Sequence, residues 1–306
     1  MERSGEKIVT CVGGANMDIQ GFSGAPINMR DSNPGTIRFC AGGVGRNIAE
    51  NLAWLGARVR MISAVGDDPF GKNILDSCLA AGVDISGIEV IPGRSSSAYL
   101  VLTDSDGDML AAVSDMHIIK EMGKAFILRH KEALDSADAL VLDPNLSAES
   151  LETLTSGWKH KPIFADPIST AYAGTLRNFL PFLHTVKCNR QEAEIFAAMD
   201  INDEATLEKA ADRILASGTR CAVITLGADG VFYKDRAGLR LRKCRKPLHP
   251  VSATGAGDAF TAAMVYGWLN EMVAEASLEL AMCTAEMTLM DTLTVNPNIR
   301  RLTENC

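Results

Sequence analysis

Thr185-Val186-Lys187-Cys188 and Cys221-Ala222-Val223-Ile224-Thr225-Leu226 are short, apolar, β-rich runs, and the stretches Arg190–Met199 and Ala205–Ser217 between them are patterned as helices. The same alternation runs outward from this unit. Ile8–Val12, Val59–Val65, Ala139–Leu142 and Pro162–Ala165 read as strands. Val44–Trp54, Phe70–Ala81 and Ala148–Trp158 read as helices. Continuous apolar strands separated by helices predict a parallel sheet covered on both faces, an α/β fold. From Thr254 onward the pattern is mostly helical.

Two regions interrupt the alternation. Residues 20–39 are polar and turn-rich, with Asp31-Ser32-Asn33-Pro34-Gly35 as a turn signal, and Ser97–Leu102 and Met109–Val113 flank Asp104–Asp108 as a hairpin would. Together they predict a small sheet projecting from the main body. No internal repeat or linker divides the chain, so the expectation is one domain over residues 1–306 with lid segments at about 17–40 and 95–116.

The 306 residues can bury a large core, and 47% apolar with 22% charged residues is ordinary for a globular protein. A net charge of −8 and a pI near 5.2 argue against a nucleic-acid binder, which needs a basic surface. No run approaches the roughly 18 apolar residues of a membrane span, and Met1–Lys7 is too polar to open a signal peptide. The eight cysteines are scattered without a CxxC pair, which suits reduced thiols and a cytoplasmic setting.

The strongest local chemical signal is Thr254-Gly255-Ala256-Gly257-Asp258-Ala259-Phe260, ahead of a helical run over Ala259–Leu269. Small residues at a helix N-terminus leave N–H groups free for an anion. A carboxylate there would repel phosphate, but it suits a base beside a phosphoryl acceptor. The competing reading is that Asp258 supports the positive end of the helix. Ala41-Gly42-Gly43-Val44-Gly45-Arg46-Asn47 opens another helix and is either a tight turn or a polar ligand site. Asn16 and Asp18 follow the first strand, where ligands of parallel sheets gather, although Asp18 could equally be an N-cap. Asn189 and Glu192 have the spacing of a capping box, and also a spacing that could hold Mg²⁺ through water. Gly66–Asn73 nearly spells a P-loop, but Asn73 replaces its hydroxyl residue and Pro69 removes an amide, so a turn and helix start are expected. No dinucleotide fingerprint is present, since Phe260 stands where the third glycine would be.

Taken in order, Gly14-Ala15-Asn16-Met17-Asp18, Ala41–Asn47, Asn189-Arg190-Gln191-Glu192 and Thr254–Asp258 resemble the ribokinase-like (PfkB) family of carbohydrate and nucleoside kinases. Asp31–Gly35, Gly42–Ala49, Ser114–Ile118 and Val251–Ala259 resemble the branch that phosphorylates the 5′-hydroxyl of pseudouridine. The resemblance implies a mostly parallel sheet flanked by helices, with a small β-sheet lid. It implies ATP and Mg²⁺ as partners, with Asp258 as general base and Gly255, Ala256 and Gly257 as its anion hole. Asn16, Asp18, Gly42, Gly43 and Asn47 would line the sugar, with Asp166, and Asp115 and Met116 would approach the base. Lys187, Asn189, Thr225, Gly227, Gly230 and Thr254, with Gly255 and Gly257, would face the nucleotide, and Glu192 with Asn189 would reach the metal through water. Many sugar kinases of the family carry an Asp for a monovalent cation two residues before the motif's Thr, where this sequence has Ser252. The exposed edges expected of a small projecting sheet, with the resemblance, point to a homodimer. A kinase for another nucleoside or for free ribose is the alternative within the family, and a nucleotide-binding sensor on a kinase scaffold is the alternative outside enzymes.

Overall fold

The computed structural model describes residues 7–104, 109–243 and 254–304. Residues 105–108 of the expected hairpin turn, the segment 251–253 with Ser252, and Cys244 and Cys306 lie outside them. In chain order the strands are β1 (Ile8–Val12), β2 (Asn16–Ser23), β3 (Gly35–Gly42), β4 (Arg58–Gly66), β5 (Asp84–Ile91), β6 (Ser97–Thr103), β7 (Met109–Asp115), β8 (Ala139–Leu142), β9 (Ile163–Ala165), β10 (Thr185–Asn189), β11 (Cys221–Thr225), β12 (Val231–Asp235) and β13 (Arg240–Lys243). The helices are α1 (Val44–Trp54), α2 (Pro69–Ala81), α3 (Lys124–Arg129), α4 (Lys131–Ser136), α5 (Ala148–Gly157), α6 (Thr170–Leu176), α7 (Arg190–Ala197), α8 (Glu204–Ala216), α9 (Ala256–Leu269) and α10 (Ala274–Leu289).

The large sheet has the order β13-β12-β11-β10-β9-β8-β1-β4-β5, parallel except where β12 and β13 join antiparallel at one edge. Its central strands, such as β1, β8 and β9, are predominantly apolar because both faces are covered. On β1, Val9 and Cys11 pack into a core with Ile48 and Leu52 of α1 and Ala262 and Val265 of α9. Val12 points the other way, into a core with Leu151 of α5, Ala193 of α7 and Ile214 of α8. Each fully buried Leu or Ile side chain contributes about 1.5–3 kcal/mol, so these two layers fix the strand ends from which the polar residues project.

The second sheet, β3-β2-β6-β7, stands apart from the first. It corrects one expectation. Asn16 and Asp18 follow β1 as expected, but the chain turns at Gly13-Gly14-Ala15 and enters a second strand, β2, at Asn16 instead of a helix. Asp18 is therefore a strand residue and caps no helix. The segment 20–39 is likewise less irregular than its composition suggests: strand pairing holds to Ser23 and resumes at Gly35, leaving the turn around Asp31–Gly35. The P-loop look-alike is a helix start, with Asp68 accepting from Gly71 N at 2.8 Å and Pro69 in the first turn of α2.

Candidate active site

The polar residues singled out in the sequence converge where β1, β8, β9 and β10 end, between α9 and the small sheet. The N-cap of α9 is Gly255, held at φ +85°, and a Cβ there would lie 2.1 Å from the Thr294 carbonyl oxygen. Glycine is required by both the left-handed backbone and the contact. The helix starts at Ala256, earlier than expected, so Asp258 lies in its first turn beside unpaired N–H groups. A Cβ on Gly257 would come within 2.8 Å of Lys187 Nζ, so the main chain here runs against the lysine.

Asp258 is buried, and its Oδ2 accepts from Asn47 Nδ2 at 2.7 Å. Burial, then the charge of Asp166, push its carboxyl up to about 7, while Asn47 and Lys187 pull the other way and Asp143 adds to the rise. A general base works best with a pKa near the operating pH. Lys187 is buried and donates to Asp166 Oδ2 at 2.6 Å. Burial opposes its charge, but Asp166, Asp258 and Glu192 outweigh burial and hold it above the ordinary lysine value. Thr261 Oγ1 also reaches Asp166 Oδ2, at 3.1 Å, so Asp166 ties α9 to β10.

At the base of the small sheet, Asn16 Nδ2 donates to Asp18 Oδ1 at 2.5 Å. A Cβ on Gly42 would fall 2.5 Å from the Asp18 carboxylate. Burial raises the Asp18 pKa against the pull of Asn16 and Arg46. Gly43 stands at φ +97° as N-cap of α1, so a tight turn and a close approach coexist.

The residues at the ends of β10 and β11 are arranged locally. Asn189 and Glu192 form a complete capping box: Asn189 Oδ1 accepts from Glu192 N at 2.9 Å, and Glu192 Oε2 accepts from Asn189 N at 2.8 Å. Burial lifts the Glu192 carboxyl. Thr225 pairs with Asn189 across β10 and β11, and Gly227 and Gly230 adopt positive φ in the turn that follows. Thr254 leads directly into Gly255.

Asp115 is not brought into this cluster. Register places Ser114 on the same face as Asp18 and Tyr99, so the pleat turns Asp115 to the opposite face. Its exposed carboxylate pairs with His117 Nδ1 at 2.7 Å, which holds its pKa below the usual range. Met116 instead lines a cleft of about 340 Å³ with Ile119, Asn145, Ser147 and Tyr172.

Sequence reasoning missed Asp143. Its Oδ2 accepts from Gly14 N at 2.8 Å and from Gly45 N at 3.3 Å, and its Oδ1 accepts from Asn145 N at 2.9 Å. Burial raises its pKa against those three N–H groups. The signal was available: Asp143 directly follows β8, the strand-end position that drew attention to Asn16 and Asp18.

Comparison with known proteins identifies the family. The model of the pfkB family carbohydrate kinases matches residues 6–300. The chain is 35% identical to pseudouridine kinase of Escherichia coli (strain K12), over 95% of this chain and 93% of that one. It is 30% identical to guanosine-inosine kinase of Exiguobacterium acetylicum, over 93% and 95% respectively. Among solved structures, a carbohydrate kinase from Agrobacterium tumefaciens superposes with a TM-score of 0.81 at 25% identity, covering 97% of this chain and 96% of the other. Arabidopsis thaliana ribokinase complexed with ribose and ATP gives 0.80 at 18%, covering 98% and 99%, and shares the fold. The chain has the ribokinase-like α/β fold and belongs to the pfkB family of carbohydrate kinases, which are phosphotransferases.

Proposed function

We propose that this protein transfers the γ-phosphoryl group of ATP to the 5′-hydroxyl of pseudouridine. The observation that carries the reading is Asp258: a buried carboxylate with its pKa raised to about 7, oriented by Asn47, in the first turn of a helix whose leading amides no side chain caps among the described residues. Asp258 takes the proton of the attacking hydroxyl. The amides of Gly255, Ala256 and Gly257 stabilise charge on the group in transfer. Asn16, Asp18, Gly42, Gly43 and Asn47 hold the ribose, with Asp166 behind them, and the small sheet closes as a lid that excludes water. Lys187, Thr225, Gly227, Gly230 and Thr254 flank the nucleotide.

The donor set also suits Mg²⁺. Asp166, Glu192 and Asp258 surround one ammonium, Lys187, so the pocket carries more negative than positive charge. The capping box engages Glu192 Oε2 and leaves Oε1 for a metal-bound water, beside Asn189. When bound, the ion neutralises charge on the ATP oxygens.

For the base, the cleft under Met116 offers the amide of Asn145, the hydroxyls of Ser147 and Tyr172, and the apolar Ile119. An amide both donates and accepts, which matches the alternating N–H and C=O groups of a uracil ring. A site built to pair the additional N–H of the C-linked base rejects an analogue that lacks it. ADP release measured across pseudouridine, uridine, guanosine, inosine and ribose tests the assignment. Pseudouridine should give the highest kcat/KM. A tenfold preference for another acceptor would replace the substrate name, and binding without turnover would favour a sensor.

The small sheet supports a homodimer. Rows Phe39-Ile19-Leu100-Val113 and Ile37-Gly21-Leu102-Ala111 lie in register on the face away from Asp18. Phe39, Ile37, Leu100, Leu102 and Val113 are exposed, and no residue in either row is charged. A chain of net charge −8 can meet its own copy over such a face without like-charge repulsion. Sedimentation velocity should find a dimer that Leu100→Glu with Val113→Arg converts to monomer; a monomeric parent would end the proposal.

A further inference from the structure

Arg46 has no part in the chemistry above, yet it is the largest fully buried side chain among the described residues, at 2% exposure. A guanidinium removed from water is costly unless every donor is matched. Nε donates to Gly42 O at 2.9 Å. Nη1 pairs with Glu50 Oε1 at 2.7 Å, and Ser77 Oγ donates to the same carboxylate at 2.8 Å. Nη2 donates to Ala41 O at 2.7 Å, to Thr294 Oγ1 at 3.0 Å, and to Asn47 Oδ1.

That last contact decides which way an amide points. Asn47 Nδ2 faces Asp258 Oδ2 at 2.7 Å. If the amide were turned over, its NH₂ would face a guanidinium with no lone pair and its oxygen would face a carboxylate, two repulsive contacts in place of two attractive ones. The same guanidinium grips Ala41 and Gly42, the last residues of β3 in the small sheet. Thr294, whose hydroxyl also donates to Ala41 O at 2.9 Å, packs its carbonyl directly against Gly255. One planar fork therefore touches the end of the small sheet, the segment against the anion hole, and the partner of the base.

We propose that Arg46 is a positioning residue: its fork fixes the Asn47 amide with the NH₂ toward Asp258, and its hold on Ala41 and Gly42 makes the alignment of the base depend on the seating of the small sheet. The proposal rests on the reading of Asp258 as general base. Lysine cannot substitute, because a single ammonium cannot span Gly42, Ala41, Thr294 and Asn47 at once. A purely structural Arg46, present for its ion pair with Glu50, would show in stability alone.

The test is a double-mutant cycle of wild type, R46K, N47A and R46K/N47A, measured as kcat, acceptor KM and kcat against pH. R46K should lower kcat roughly tenfold, with a smaller change in KM. It should also move the acid limb upward, because Asn47 is the neutral donor that opposes the raising effects of Asp166 and Asp143 on Asp258, alongside Lys187. The double variant should be no slower than N47A. Losses that multiply, or an acid limb that stays in place in R46K, would overturn the proposal. Glu50→Gln supplies the structural control: it should lower Tm while leaving kcat and the acid limb unchanged, and a shifted limb there would count against Arg46 acting through Asn47. If R46K does not accumulate, Thr294→Val removes one Nη2 acceptor, and its kcat loss should vanish in the N47A background; a loss that persists overturns the inference. Near-normal turnover by Asp258→Asn would refute the base itself, an outcome separate from either result of the cycle.

Discussion

The two halves of the candidate site are built in opposite ways. On the side proposed to hold the sugar, the Asn16–Asp18 pair is local, but three contacts reach across the chain: Asn47 to Asp258 is 211 residues, Gly14 to Asp143 is 129, and Gly45 to Asp143 is 98. On the side proposed to face the nucleotide the capping box is local, Asn189 with Glu192 three residues on, and the longer bond from Thr225 Oγ1 to Cys188 O, 37 residues, joins two neighbouring strands. The turn after β11 closes on itself through Leu226 N and Gly230 O at 2.8 Å. A local motif keeps its shape when distant parts of the protein change. A cluster assembled from four strand ends and two helices does not. Substitutions on the sugar-facing side should therefore disturb catalysis, its pH dependence and stability together, whereas those on the nucleotide-facing side should separate these quantities.

The largest effect is expected at Asp258. Asp258→Asn removes the base with little change of shape and should lower kcat about 10³-fold, while nucleotide binding by calorimetry persists. In the parent, kcat/KM should rise with pH through about 7 as Asp258 ionises. Stability carries the same group with the opposite sign. Its pKa is higher folded than unfolded, so the folded protein binds the proton more tightly, and stability falls as pH rises from about 4 toward 7. Asp258→Asn removes that loss. Its Tm relative to the parent should climb between pH 5 and pH 8, by the equivalent of roughly 2–4 kcal/mol. A constant Tm difference across that range would show that burial of this charge does not oppose folding.

Asp143 should come next. Asp143→Ala leaves the N–H groups of Gly14, Gly45 and Asn145 without their acceptor, and unsatisfied buried donors cost about 1–3 kcal/mol each. Water entering the space offsets part of this, so a net loss of about 2–4 kcal/mol is expected by urea unfolding. Because Gly14 leads into β2 and Gly45 lies in α1 beside Asn47, acceptor KM should rise severalfold while nucleotide affinity holds. Equal changes in both affinities would remove the distinction between the halves.

The same division explains what could be read in advance. The alternation of apolar strands and helices fixed the large sheet because strand and helix periods are local properties. The Asn189–Glu192 capping box and the Asp68 helix start were visible for the same reason. The place of Asp143 after β8 was legible too, but the bonds it accepts and the buried ring around Arg46 were not, since each depends on main-chain groups brought close only by folding. Asp115 shows the converse. The family resemblance carried it, with Met116, toward the base, but a strand alternates sides at every residue, and register puts Ser114 on the face of Asp18 instead.

Glu192 gives the smallest expected effect and the sharpest comparison with Asp143. Glu192→Gln retains a side-chain oxygen for Asn189 N, so the capping box and the start of α7 survive and unfolding should change by less than about 1 kcal/mol. What is lost is a charge whose pKa burial has raised and which helps hold Lys187 protonated. If Glu192 reaches Mg²⁺ through water, the Mg²⁺ concentration for half-maximal rate should rise about three- to tenfold, with acceptor KM and the acid limb unmoved. Glu192→Ala also breaks the box, and should add a stability loss of about 0.5–2 kcal/mol to the same Mg²⁺ effect. The pair separates cap from charge on one side chain, which Asp143 does not allow, since its charge and its three backbone contacts are the same two oxygens. An acceptor KM that rises in Glu192→Gln as far as in Asp143→Ala would mean that the two halves are coupled through Lys187 and Asp166, and that the local motif is not independent of the cluster beside it.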